Sequence, residues 1–105
     1  MFRVPTTVSA ILLCFSVTVS AHTTGRVNGL VLDQTGAALP DVAIDLVVNL
    51  RELTTTTDDR GAYRFDVVPT GNAELTFRHL NFTVLRRSVH VASGVSVTAD
   101  AVLTL

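Results

Sequence analysis

From Arg26 onward, apolar and polar positions alternate with a period of two in short runs separated by turn residues. The clearest run is Thr54–Gly71, TTTTDDRGAYRFDVVPTG. Consecutive threonines favour extended backbone, because a branched Cβ is stiff and packs well on a pleated surface. Asp58-Asp59-Arg60-Gly61 supplies a turn: Asp side chains bond nearby amides, and Gly61 tolerates positive φ. Tyr63, Phe65 and Val67 then alternate with Arg64 and Asp66, placing the apolar groups on one face. Pro69 cannot donate a ladder hydrogen bond, so the strand is expected to stop near Val68, and Gly71 permits a sharp corner. The stretch predicts a hairpin with one buried face.

The same reading extends in both directions. Val27, Gly29 and Val31 alternate with Asn28, Leu30 and Leu32, so both faces of that strand are expected to be partly covered. Asp33-Gln34-Thr35-Gly36 makes a turn, and Leu39-Pro40-Asp41 returns to an extended path. Val42, Ile44, Leu46 and Val48 read as the inward face of a strand. A helix over Val42–Leu53 capped by Asp41 is the rival, disfavoured by the β-branched residues. Ala73, Leu75 and Phe77 mark another one-sided strand, ending in a bend at His79-Leu80-Asn81, where Asn81 tolerates left-handed backbone. Phe82–Val91 predicts a long strand with a bulge between the adjacent Val84 and Leu85. After a turn at Ala92-Ser93-Gly94, Val95–Leu105 predicts a final strand with Val97, Ala99, Ala101 and Leu103 on one face. Strands recurring every ~8–12 residues with turn signals between them indicate an all-β sandwich.

Residues 1–21 differ in kind. Arg3 precedes an almost wholly apolar or small run, Val8–Val19, and Val19-Ser20-Ala21 offers small residues where a signal peptidase cuts. This is the pattern of a secretory signal peptide with cleavage after Ala21. The run falls short of the ~20 residues of a spanning helix. Cys14 follows the bulky Leu13, which argues against a lipoprotein signal. Removal leaves one domain, residues 22–105, and an exported destination: periplasmic, outer-membrane associated or extracellular.

That domain has no cysteine, so it relies on its core alone. Seven arginines, no lysine and nine carboxylates give it a net charge of −2 with histidine neutral. The charges are scattered and form no basic stripe, which excludes nucleic acid as a partner.

Four segments together resemble the carboxypeptidase regulatory-like domain. They are Gly25-Arg26-Val27-Asn28-Gly29 to Asp33, Gly36–Val42, Thr57–Phe65 and Val68-Pro69-Thr70-Gly71, in that family's order and spacing. The resemblance spans Gly25 to Leu105. It implies a seven-stranded, transthyretin-like Greek-key β-sandwich. Such modules follow the catalytic domain of metallocarboxypeptidases and stand at the exported N-terminus of TonB-dependent outer-membrane receptors. Related folds include starch-binding modules. Two positions depart from the family: Ala73 stands where an aromatic is frequent, and Asn81 where glycine often precedes the next aromatic. With no lysine, the internal Lys–Asn bond of pilus-type sandwiches is unavailable.

Candidate chemistry is sparse. His22, His79 and His90 lack glutamate at zinc-site spacing, and the His-x-x-Glu pattern of a metallocarboxypeptidase is absent, so no metal and no other cofactor is expected. The tyrosine-containing tail of transthyretin-like ureide hydrolases is missing, since the chain ends Val102-Leu103-Thr104-Leu105. No Gly-x-Ser-x-Gly occurs. Asp33, Asp58 and Asp59 suit turn chemistry better than calcium, which takes about six to eight oxygens. Asn81-Phe82-Thr83 matches the glycosylation triplet of a eukaryotic host.

Three residues stand as candidate interaction residues: Tyr63, Arg86 and Arg87. Tyr63, with Phe65, could form a sugar-stacking platform, although its spacing favours the core. Of adjacent Arg86 and Arg87, one must face inward unless a bulge intervenes. An edge strand, where charge deters aggregation, would accommodate both, and an acidic docking partner is the functional alternative. The expected role is a non-catalytic exported module with a structural or protein-interaction function, in the setting of a surface or outer-membrane transport protein. The alternative is a carbohydrate-binding module. The expected partner is accordingly an unidentified protein or glycan.

Overall fold

The computed structural model describes residues 23–105, which form two packed β-sheets. One sheet holds β1 (Thr24–Asp33) between β4 (Ala62–Pro69) and the short β7 (Ser96–Thr98) and β8 (Ala101–Leu103). The other has the order β3 (Arg51–Thr56), β2 (Ala43–Val48), β5 (Gly71–Arg78), β6 (Leu85–Val91). The chain crosses between sheets after β1, β3, β4 and β6. Only β7 and β8 run parallel to their neighbour β1; every other pairing is antiparallel.

The expected all-β, transthyretin-like sandwich is therefore present, with eight strands where seven were expected. The extra strand arises because the last segment splits. Ala99, Ala101 and Leu103 share the inward face as expected and are buried, but the ladder breaks at Ala99-Asp100. There the Ala99 N–H bonds the Asn28 carbonyl at 2.7 Å, and the Asp100 carboxylate accepts the Leu30 N–H at 2.8 Å. A side chain thus replaces one rung of the backbone ladder.

A single core lies between the sheets. Val42, Ile44, Leu46 and Val48 are buried from one side, Ala73, Leu75 and Phe77 from the next strand, and Val27, Val31, Tyr63 and Phe65 from the other sheet. The helical alternative over Val42–Leu53 is excluded. In its place a two-residue turn at Asn49-Leu50, both with positive φ (51° and 66°), joins β2 to β3. Positive φ at both central residues matches the right-handed twist of the flanking strands.

Four local expectations are corrected. Thr54–Gly71 is not a hairpin: β3 and β4 belong to opposite sheets, and the Asp58–Gly61 turn carries the chain from one to the other. Thr57 anchors this crossing. Its buried hydroxyl donates to the Leu39 carbonyl at 2.6 Å and accepts the Val42 N–H at 2.9 Å. Secondly, Val67 does not follow Tyr63 and Phe65 inward. Gly25 pairs with Val68 and Val27 with Phe65, so Asp66 and Val67 together oppose Arg26. This bulge reverses the alternation, leaving Val67 66% exposed and Val68 fully buried. Thirdly, no bulge separates Val84 from Leu85; β6 begins at Leu85, after the expected bend at Asn81 (φ 72°). Finally, Asp41 takes positive φ (62°) in a turn with Pro40, and extended pairing resumes only at Ala43.

Candidate functional site

Tyr63 projects from β4 into the core and is 4% exposed. Its ring meets Phe65 and Phe77 edge-on, with centroids 6.2 Å and 5.7 Å away. Its hydroxyl donates to the carbonyl of Ala99. Burial pushes the phenol pKa above its ordinary value, the Asp100 carboxylate adds to the shift, and the Arg87 guanidinium opposes it. Gly29 makes the arrangement sterically feasible, since a Cβ there would lie 2.2 Å from the Ala99 oxygen. The candidate Tyr63 therefore belongs to the core, and so does Phe65, at 6% exposed. Neither offers a face on which a sugar could stack.

Arg86 and Arg87 lie on β6, the outer strand of its sheet, with no bulge between them. Arg86 points to the solvent face, opposite Thr76. Arg87 takes the inward phase with Leu85 and Val89, yet its guanidinium escapes burial. It crosses the seam between the sheets and donates through Nη1 to the Asp100 carbonyl at 2.6 Å. Arg87 and Asp100 form the polar part of a groove of about 400 Å³ whose walls are Leu30, Leu32, Leu85 and Val102. Asp100 was not legible as a site residue. The one signal is a carboxylate in a segment otherwise made of apolar and small hydroxyl residues.

A second concavity, about 610 Å³, lies on the solvent face of the β1 sheet. Arg26, Asn28, Arg64, Asp66, Thr98 and Asp100 supply its polar side chains, and Tyr63 and Phe65 also line it. Thr98 donates to the Asn28 side-chain oxygen at 3.1 Å, and Arg64 approaches Asp66 at 3.6 Å, both well exposed. Such an exposed pair contributes little to stability.

The remaining candidates are committed locally. Asp33 accepts the Thr35 hydroxyl and the amides of Thr35 and Ala37, and the hydroxyl bond is the main cause of its lowered pKa. Asp58 accepts the amides of Ala62 and Arg60, which lower its pKa in that order. His90 bonds Asn72 at 3.0 Å, and His79 bonds the Leu80 carbonyl and packs edge-on against Phe82. Among the described residues no three metal-ligating side chains come together. His22 and residues 1–21, where a signal peptide is expected, lie outside the described residues.

Against this geometry the sequence matches the family model of the carboxypeptidase regulatory-like domain over residues 26–104. The chain belongs to that family. The match takes in both sheets and ends one residue before the C-terminus. No curated protein matches the sequence. Among solved structures, the TIE protein of Bacillus anthracis is similar over 78% of this chain and 16% of its own, at 13% identity and a TM-score of 0.69. A candidate carbohydrate-binding protein of Bacteroides uniformis aligns over 75% of this chain and 40% of its own, at 21% identity and a TM-score of 0.61. A minor pilin of Streptococcus agalactiae aligns over 80% and 45%, at 17% identity and a TM-score of 0.62. At these identities the likeness concerns the fold. The chain spans less than half the length of each of these three proteins.

Proposed function

We propose that this carboxypeptidase regulatory-like domain is an exported, non-catalytic module with a structural or protein-interaction role. It would serve a surface or outer-membrane transport protein, delivered by the N-terminal segment 1–21. The observation that carries the reading is the use made of the aromatic rings. Tyr63, Phe65 and Phe77 are all consumed by the core, and Phe82 is half-buried against His79. The concavity on the β1 sheet therefore presents arginine, asparagine and carboxylate groups, while the two rings that also line it, Tyr63 and Phe65, are only 4% and 6% exposed. Amphipathic rings at the surface are what sugar recognition draws on. The partly exposed apolar groups Leu30 and Val102, beside Arg87, are of the type that protein contacts bury.

The alternative, a carbohydrate-binding module, draws on the likeness to the Bacteroides uniformis protein. A glycan array and polysaccharide pull-down with the exported, purified chain separates the two, with heat-denatured protein as control. The expected result is no saturable binding by folded protein. Saturable binding to one glycan class, lost in Asn28→Ala or Arg64→Ala, would move the function to sugar recognition.

A further inference from the structure

A sandwich with open sheets has exposed edges, and each exposed edge is a template for another strand unless something blocks it. Three of the edges here are blocked. The β4 edge carries the Asp66-Val67 bulge and ends at Pro69. The β6 edge carries Arg86 and the inward-phase Arg87, whose charge would be trapped by further pairing. On the remaining side of the β1 sheet, β7 and β8 have three residues each and are interrupted at Asp100.

The β3 edge has no bulge, proline or interruption, and its two charged residues, Glu52 and the inward-phase Arg51, are confined to the end beside the Asn49-Leu50 turn. All six residues of β3 pair with β2 in unbroken register, with no proline, glycine or bulge. The Thr57 N–H and carbonyl both bond toward β2, to the Val42 carbonyl and the Asp41 N–H. Alternation then turns Arg51, Leu53 and Thr55 toward β2, and leaves the N–H and C=O of Glu52, Thr54 and Thr56 pointing away from the sheet. Among the described residues nothing beyond β2 pairs with this strand.

We propose that this edge pairs with the same edge of a second copy of the chain, antiparallel about Thr54, joining two four-stranded sheets into one. Self-complementarity selects this occupant. With Thr54 opposite Thr54 of the second copy, Glu52 falls opposite Thr56, and about six ladder hydrogen bonds satisfy every outward group of both strands. Threonine faces threonine on the solvent side, a favourable cross-strand pair. Leu53, half-buried in one copy, meets Thr55 of the other. No like charges come opposite one another. Arg51 comes level with Thr57 of the second copy, beside its Asp58-Asp59 turn, and does so twice by symmetry. Neither Arg51 nor Asp59 has an ion pair among the described residues, so each is available. This pairing goes beyond the module reading and does not depend on which larger protein the module serves.

The test is analytical ultracentrifugation of the exported, purified chain over a concentration series, with amide exchange followed by NMR. Mass is expected to rise from monomer to dimer with concentration. The amides of Glu52, Thr54 and Thr56 should slow in step, while those of Arg64 and Asp66 on the β4 edge do not. Thr54→Pro removes an N–H that the single copy does not use, and should hold the chain monomeric with an unchanged circular dichroism spectrum. Arg51→Glu should weaken association about tenfold, or roughly 1.4 kcal/mol, and adding Asp59→Arg should restore it. If Thr54→Pro does not fold, wild-type exchange and the charge swap still decide. A chain that remains monomeric throughout would overturn the proposal. So would a dimer that protects another edge, a charge swap that fails to restore association, or protection of β3 seen only with a foreign extended peptide.

Discussion

The hydroxyl of Tyr63 is the point where the two halves of the last strand segment are tied to the core. It donates to the Ala99 carbonyl, which stands buried where the ladder breaks. Tyr63→Phe keeps the ring contacts with Phe65 and Phe77 and deletes only that donor. Leaving a buried carbonyl without its partner costs about 1–3 kcal/mol, and urea unfolding at neutral pH should show a loss in that range. The same group sets an alkaline limit. Its pKa is raised in the folded state, so the unfolded chain loses the phenolic proton first, from about pH 10. The stabilisation is complete below that pH and declines as pH rises above it. Urea midpoints measured from pH 8 to 11 should fall at the alkaline end in the wild type and less steeply in Tyr63→Phe. Tyrosine in register with Phe65 was legible as core from alternation alone. Its hydrogen-bond partner was not, because Ala99 is 36 residues away and contributes a backbone atom.

At the scale of elements, short-range pattern located the strands and long-range pairing decided their partners. The inward positions of β2 and β5 were all legible, because regular alternation on a central strand leaves one face for the core. β4 was legible only as far as Phe65. The bulge opposite Arg26 depends on how β1 pairs with β4, and nothing within VVP shows which valine turns inward. Val68→Ala should cost about 2 kcal/mol through the cavity left in the core, and Val67→Ala under ~0.5 kcal/mol as a surface change. Equal losses in thermal or urea unfolding would contradict the reversed alternation. The Asp58–Gly61 turn illustrates the same division. Its residues specify a tight turn, with Gly61 at φ 77° and the Asp58 carboxylate holding two amides. A tight turn serves equally to pair two strands in one sheet or to pass between sheets. Thr57, through its bonds to Leu39 and Val42, directs the chain across.

For the whole molecule, one core shared by both sheets and the absence of cysteine from residues 22–105 leave hydrophobic packing as the source of stability. Unfolding is therefore expected to be a single cooperative transition with the same midpoint with and without dithiothreitol. A reductant-dependent midpoint would mean that Cys14 is retained and links two chains through a disulfide. The family and the sandwich were both present in the order of short motifs, because turns and alternation are encoded by neighbours along the chain. What only the tertiary structure decided is which of those elements meet. It sent Tyr63 to Ala99, reached Arg87 across the seam to Asp100, exposed Val67 in place of Val68, and left β3 as an edge without bulge, proline or interruption. Each of these rests on contacts between residues far apart in sequence, where local periodicity carries no information about the partner.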